Sequence, residues 1–400
     1  MKNNTDNFWH NLMLNQKFEH PRKLPEIINI ENMIDFCTND YLGVNTIQEL
    51  KHNINNYLTD LLQNDNVNIG ATGSRLLSGN TYSHLKLEQL IAKTKGSESA
   101  LIFNSGYQTN STVMTALLKN LDKNKIKIFS DKANHASLHH AFQNLNLKQI
   151  RYAHNNLEHL DQRLKAYAQA DNYIFIITES IFGMEGDKTD LLKLVQIASN
   201  YNALVYIDEA HATGIMGNNG YGLTSGLFDI YPNLIVMGTF SKALGAGGGY
   251  IACSKIIKNY LLNTCSGFIY STALSPILTE AIYYVWSNLH TEYFSQLRKN
   301  LNDVAVYIRK SLQNLDFDIG VSNSHIIPII LKDVEKSQKM YDYLLKNNIK
   351  TSHIRPPTVA PNTCRIRLSI CANHSMAQAS KLIEILEMSK SRAMIINQLN

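Results

Sequence analysis

Four hundred residues, 44% of them apolar and 18% charged, are more than one small core needs and suit a folded chain with a large domain and a smaller one. A net charge of +5 without any dense Lys/Arg block excludes the basic footprint of a nucleic-acid binder. Five scattered cysteines lacking CxxC spacing (Cys37, Cys253, Cys265, Cys364, Cys371) read as reduced thiols of a cytoplasmic protein, and no apolar run reaches the roughly 18 residues of a membrane span.

In chain order, residues 1–45 form a leading segment. A short amphipathic helix is expected around Phe8 to Leu14, then Pro21 and Pro25, then a strand at Met33 to Thr38 that runs into Asn39-Asp40-Tyr41-Leu42-Gly43. The stretch Gly70 to Gly79 lacks the Gly-Lys-Ser/Thr ending of a phosphate loop. Its Arg75 is either a structural loop cation or a substrate contact. From about residue 100 to 255, strands alternate with helices: Ala100 to Phe103, Ile126 to Phe129, Tyr173 to Thr178, Ala203 to Ile207, Leu234 to Met237 and Tyr250 to Cys253. Apolar runs spaced by helices predict an α/β fold with a mostly parallel sheet covered on both faces, its site at the carboxyl ends of the strands. After Pro276 a long helical region is expected to about Leu315. A smaller α/β unit follows, with strands at His325 to Leu331 and Cys364 to Ile370 and helices near Ser337 to Asn347 and Ser375 to Met388. The expected division is therefore a leading segment 1–45, a large domain 46–290 and a small C-terminal domain 291–400.

The residues that carry chemistry fall at the strand ends. Asn104-Ser105-Gly106-Tyr107 leads into a helix expected to start near Gln108, where free amides favour a phosphate and Gly106 lets it approach, although Ser-Gly is common in such turns. His135, on the loop after the second strand, could stack on a planar ring or simply cap a helix. Asp208 ends an apolar strand, where a buried carboxylate needs a cation or several donors, and His211 follows three residues on. A protonated pyridine nitrogen would answer Asp208, and a helix cap would as well. A metal is disfavoured because no third ligand lies nearby. The run Thr239-Phe240-Ser241-Lys242, followed by Gly245 to Gly249, sets one lysine at a strand end beside a turn that leaves room for a flat cofactor. Desolvation there lowers an amine's pKa toward Schiff-base chemistry.

Asp208-Glu209-Ala210-His211 followed by Thr239-Phe240-Ser241-Lys242, with Asn39-Asp40-Tyr41-Leu42-Gly43 and Asn134-His135-Ala136-Ser137, resembles the α-oxoamine synthases among the fold-type I pyridoxal 5'-phosphate (PLP) enzymes. The likeness extends over nearly the whole chain and implies an aspartate-aminotransferase-like fold. It further implies that Lys242 holds PLP covalently and serves as base and acid. Asp208 would pair with the ring nitrogen, His211 would bond the phenolic oxygen, and His135 would stack on the ring. Gly106, Tyr107 and Thr239 would hold the phosphate, joined by Ser271 and Thr272 from the neighbouring subunit of a homodimer with shared sites. The likeness further implies that Gly183 stands where most relatives carry serine, which leaves that cofactor bond unmade or given to water.

The Ile354-Arg355-Pro356-Pro357-Thr358-Val359 run is similar to the biotin-pathway branch, the 8-amino-7-oxononanoate synthases. There the likeness implies Arg355 on the amino-acid carboxylate and Thr358 on the acyl site, with Asn39 and Arg22 as further substrate-side candidates. The implied substrates are L-alanine and a pimeloyl thioester of CoA or acyl carrier protein. A glycine acetyltransferase, long-chain base synthase or aminoketone signal synthase would keep the chemistry and change the acyl donor. A catalytically silent subunit should have lost Lys242, and a nicotinamide dehydrogenase lacks its strand-GxGxxG-helix unit here.

Overall fold

The structure, a computed structural model, describes Phe8, Asn11 and residues 33–398, with side chains as far as Lys390. Its strands are β1 (Ile34–Asp35), β2 (Ser99–Phe103), β3 (Ile126–Asp131), β4 (Gln149–Tyr152), β5 (Tyr173–Glu179), β6 (Leu204–Asp208), β7 (Leu234–Thr239), β8 (Gly249–Cys253), β9 (Ile326–Lys332), β10 (Ile349–Lys350), β11 (Ser352–Ile354) and β12 (Cys364–Ser369).

Seven strands form one sheet in the order β2-β8-β7-β6-β5-β3-β4. All neighbours pair parallel except β8, which runs antiparallel to both β2 and β7. The reason is local. A parallel return needs a crossover of about a dozen residues or more, and the glycine turn carrying Lys242 between β7 and β8 is shorter than that, so the chain folds straight back.

Burial on both faces accounts for the unbroken apolar runs. Successive side chains of a strand point to opposite faces. Ile174 and Ile176 of β5, Val205 and Ile207 of β6, and Leu234 and Val236 of β7 enter one core, while Phe175, Ile177, Tyr206, Ile235 and Met237 enter the other. The edge strand β4 escapes sequence reading because Gln149, Ile150 and Arg151 are only partly buried or exposed, so it has no apolar run to betray it.

A third core joins β9 and β12, through Ile327, Ile329, Ile366 and Leu368, to the helices Glu292–Asn314, Val334–Lys346 and Met376–Gln398. Here β11, β12 and β9 make an antiparallel sheet. The expected strand at Met33 to Thr38 reduces to β1, which pairs parallel with β10. The expected helical region after Pro276 is two helices, Pro276–Asn288 and Glu292–Asn314. Among the described residues no helix is long and apolar enough to cross a membrane.

Candidate active site

The carboxyl ends of β5, β6 and β7, the start of the helix Gly106–Leu118 and the loop after β3 enclose a cavity of about 290 Å³. Its lining includes Gly106, Tyr107, His135, Asp208, His211, Thr239 and Lys242, so seven of the candidates spread along the sequence meet in one place.

The Asp208-Glu209 pair splits by direction. Glu209 turns inward onto Lys95, both wholly buried, with Thr224 donating to it from both its amide and its hydroxyl. Asp208 faces the cavity, where Asn110 Nδ2 donates to its Oδ2 at 2.7 Å and the Ala210 amide to its Oδ1 at 2.9 Å. Asn110 is itself fixed, since it also donates to Ser137 Oγ at 2.9 Å and accepts from Tyr206 Oη at 2.8 Å. The carboxylate is thus oriented before any ligand arrives.

Lys242 follows β7 by three residues. Enclosure of its amine lowers the pKa to about 8 against the partial restoring pull of Asp208 and Glu179. Its Nζ lies 2.8 Å from His211 Nε2, and His211 Nδ1 lies 2.8 Å from Tyr41 Oη. Tyr41 Oη also lies 3.0 Å from Asn39 Oδ1, so the three side chains form one hydrogen-bonded line that ends on Lys242. Burial, with Lys242 and Arg367 nearby, holds the His211 pKa well below its usual value, so the imidazole is neutral.

At the other end, Ser105 caps the helix by accepting from the Gln108 amide, leaving the Gly106 and Tyr107 amides at the open first turn. A Cβ on Gly106 would sit 3.1 Å from Met237 Cε and 3.3 Å from Thr239 Oγ1, so glycine is what lets this turn close on β7. Thr239 Oγ1 and Ser241 Oγ are 2.8 Å apart beside it. His135 caps the next helix through Nδ1 and also lines the cavity. Its amide donates to Glu179 Oε1 at 2.7 Å. Glu179 stands directly opposite Asp208 in the β5–β6 register, and burial raises its pKa well above the usual carboxylate value.

Other candidates lie elsewhere. Ser271 and Thr272 are not part of their own chain's cavity. They border a separate cleft, where Asn104 Nδ2 donates to Ser271 Oγ at 2.7 Å and to the Thr272 carbonyl at 2.6 Å. Arg75 is outside the cavity lining and pairs at 2.8 Å with buried Glu88. Arg355 and Thr358 sit on the loop after β11, outside the cavity lining, with Thr358 exposed. Arg22 lies outside the described residues.

Sequence reading missed Asn110, Glu179, Tyr41 and Arg367. Arg367 is buried on β12, its Nη2 donating to Asn39 Oδ1 and to Ser369 Oγ at 2.9 Å and its Nη1 to the Gly183 carbonyl at 3.3 Å. Its Nε has no partner among the described residues. The signal was present in Arg365-Ile366-Arg367, because two arginines at a spacing of two share one face of a strand. Gly183 also reads differently in three dimensions: the space a side chain would occupy there is filled by the His211 ring.

The Aminotransferase class I and II family matches residues 31–386. The chain is 36% identical over 362 residues to an 8-amino-7-oxononanoate synthase of Lysinibacillus sphaericus, covering 89% of this chain and 88% of that one. The chain belongs to the α-oxoamine synthases of this family. Among solved structures, this α-oxoamine synthase superposes on a variant of serine palmitoyltransferase from S. paucimobilis with bound PLP at a TM-score of 0.81, with 26% identity over 91% of this chain and 88% of that one. The 8-amino-7-oxononanoate synthase of Francisella tularensis gives 0.74, with 28% identity over 90% and 99%. The cofactor of this α-oxoamine synthase is PLP, and the family's chemistry is the condensation of an amino acid with an acyl thioester. The donor set fits that cofactor: a depressed-pKa lysine, an oriented carboxylate and an open helix start share one cavity.

Proposed function

We propose that this α-oxoamine synthase condenses L-alanine with a pimeloyl thioester, carried on CoA or acyl carrier protein, releasing thiol and carbon dioxide to give 8-amino-7-oxononanoate for biotin synthesis. The observation that carries the reading is the convergence of Lys242, Asp208 and His211 on one cavity in a chain whose relatives bear that enzyme's name. A second reading keeps every residue role and changes the substrates. The likeness to serine palmitoyltransferase favours it, since a longer acyl chain would use the same site.

PLP, when bound, supplies the electron sink that makes the amino acid's Cα–H acidic. The chain's residues do the rest. Lys242, partly neutral near its pKa of about 8, attaches the cofactor and afterwards takes and returns the Cα proton. Asp208, held by Asn110 and the Ala210 amide, pairs with the ring nitrogen. His211 would turn Nε2, which lies 2.8 Å from Lys242 Nζ, toward the phenolic oxygen, and His135 would cover the ring. The Gly106 and Tyr107 amides with Thr239 Oγ1 take the phosphate. Ser271 and Thr272 complete that site from the second subunit of a homodimer, a role that suits their position outside their own cavity.

We assign the amino-acid carboxylate to Arg367 rather than Arg355. Neither arginine lines the cavity, but Arg367 is buried, donates to Asn39 and influences Lys242 electrostatically. Asn39 then steadies this guanidinium, while Arg355, Thr358 and Arg22 are left for the acyl donor. We also divide the chain at residues 45 and 290, the third core lying in the small domain apart from Ile34 and Phe36 of the leading segment. The cytoplasm is the proposed setting, where five free cysteines stay reduced.

The test is thiol release from a matrix of amino acids and acyl thioesters. Alanine with a pimeloyl thioester should be fastest, and the gene should let a synthase-deficient strain grow without biotin. Faster turnover of serine with a long-chain thioester, or of glycine with an acetyl thioester, together with failed rescue, would assign it to a sibling activity.

A further inference from the structure

His154 follows β4 and is not part of the cavity lining; it stands between two buried carboxylates that the chemistry above leaves unused. Its Nδ1 lies 3.2 Å from Asp131 Oδ1 and its Nε2 3.1 Å from Asp187 Oδ1. A carboxylate oxygen accepts and does not donate, so both ring nitrogens carry protons and the ring is a cation. Although burial alone would lower its pKa, the two carboxylates raise it to about 10. Asn155 spans the same pair, its amide donating to Asp131 Oδ2 and its Nδ2 to Asp187 Oδ2, both at 2.6 Å. The other titratable groups around the ring are Glu185 on the turn after β5, Arg365 of β12, which pairs with Glu185 at 3.1 Å, and the Tyr152 phenol, which burial beside Asp131 keeps protonated.

Each carboxylate governs one wall of the cavity. Asp131 ends β3, and its Oδ1 also accepts from the Ala133 amide at 2.8 Å, which shapes the loop leading to His135. Asp187 closes the turn after β5, its carbonyl accepting from the Phe182 amide at 3.1 Å, and the Phe182 ring meets the His154 ring in a T shape with centroids 4.4 Å apart. That turn offers the Gly183 carbonyl to Arg367 Nη1. We propose that His154 is a positioning residue: by bridging Asp131 and Asp187 it fastens the loop that carries His135 to the turn that receives Arg367, and so holds the cofactor side and the amino-acid side of the site in one register. This rests on the reading that His135 covers PLP and that Arg367 takes the amino-acid carboxylate.

The test compares His154→Asn with His154→Gln in the PLP-loaded enzyme. An asparagine nitrogen sits near the place of Nδ1 and can keep the Asp131 bond, whereas a glutamine nitrogen sits near the place of Nε2 and can keep the Asp187 bond. Two quantities are read: the rate of PLP release on dilution, and the Kd of L-alanine from the change in cofactor absorbance. His154→Gln should speed PLP release up to about tenfold, the worth of one hydrogen bond to a charged group, with a smaller change in the alanine Kd. His154→Asn should do the reverse. Equal effects of both variants on both quantities, effects in the opposite order, or no effect would overturn the proposal. If one variant does not fold, the split shown by the other decides; if neither folds, His154 serves the fold alone, which would also overturn it. In the PLP-free protein the parent's Tm advantage over either variant should be full below about pH 6.5, where an unfolded histidine is protonated too, and should fade as pH rises toward about 10. A gap that stays constant across that window would mean that the ring is not held charged and would count against the bridge. Arg367→Lys in the same alanine titration judges the underlying reading by itself. If it leaves alanine binding unchanged, the carboxylate assignment fails, and PLP release with the Tm gap still decides on His154.

Discussion

Asn110→Ala probes how Asp208 is oriented. Asn110 is 1% exposed and makes three contacts: it donates to Asp208 Oδ2 at 2.7 Å and to Ser137 Oγ at 2.9 Å, and it accepts from Tyr206 Oη at 2.8 Å. Truncation removes one hydrogen bond to a charged group and leaves the wholly buried Tyr206 hydroxyl without its acceptor. Each loss is worth about 1–3 kcal/mol, and because the adjoining cavity can admit water, the total should stay near about 3 kcal/mol. The assay is urea unfolding of the PLP-free protein, the midpoint falling at an unchanged slope. PLP should still bind Lys242, but with a faster off-rate, since Asp208 then has the Ala210 amide as its remaining anchor. An Asn110→Ala protein within about 0.5 kcal/mol of the parent, the scatter of an ordinary surface substitution, would refute the idea that this residue holds the carboxylate.

PLP capture by the PLP-free protein should speed up about tenfold from pH 6 to 7 and level off above pH 8, because only the neutral amine of Lys242 attacks. The same depressed pKa means the unfolded chain binds the extra proton between about 8 and 10.5, so this lysine's contribution to stability rises with pH across that window. Arg367→Lys should keep PLP but raise the amino acid's Kd by roughly one to two orders of magnitude, because the guanidinium fork is lost while the charge remains; unchanged amino-acid affinity would return that role to another arginine. Mixing Lys242→Ala chains with Ser271→Ala/Thr272→Ala chains should restore activity in one site of each heterodimer. No restoration despite proven subunit exchange would mean the two hydroxyls do not act across subunits.

The strand ends were legible in sequence because burial on both faces forces continuous apolar runs, and chemistry gathers where they stop. Lys242, Asp208 and His211 could be read for that reason. Asn110 and Tyr41 could not, because each works through a partner about one hundred or more residues away, and no local pattern marks such a pairing. Glu179 ends its strand as Asp208 does, yet only the β5–β6 register sets the two side by side. Arg355 drew attention through the prolines around it, but a stiff loop fixes a side chain without saying where the loop lies. Arg367 had the quieter signature of a cation inside an apolar strand and proved to be the one beside the cavity's hydrogen-bonded chain. Gly183 looked like a missing bond from sequence; in space it is room that His211 occupies.

The central claim is that Lys242 carries PLP in a site that condenses an amino acid with an acyl thioester. Its most direct test is borohydride reduction of the PLP-loaded protein, then digestion and mass analysis. One phosphopyridoxyl group per chain is expected, on the peptide that contains Lys242, and none after Lys242→Ala. A label on another lysine, or a parent protein that takes up no PLP, would contradict it.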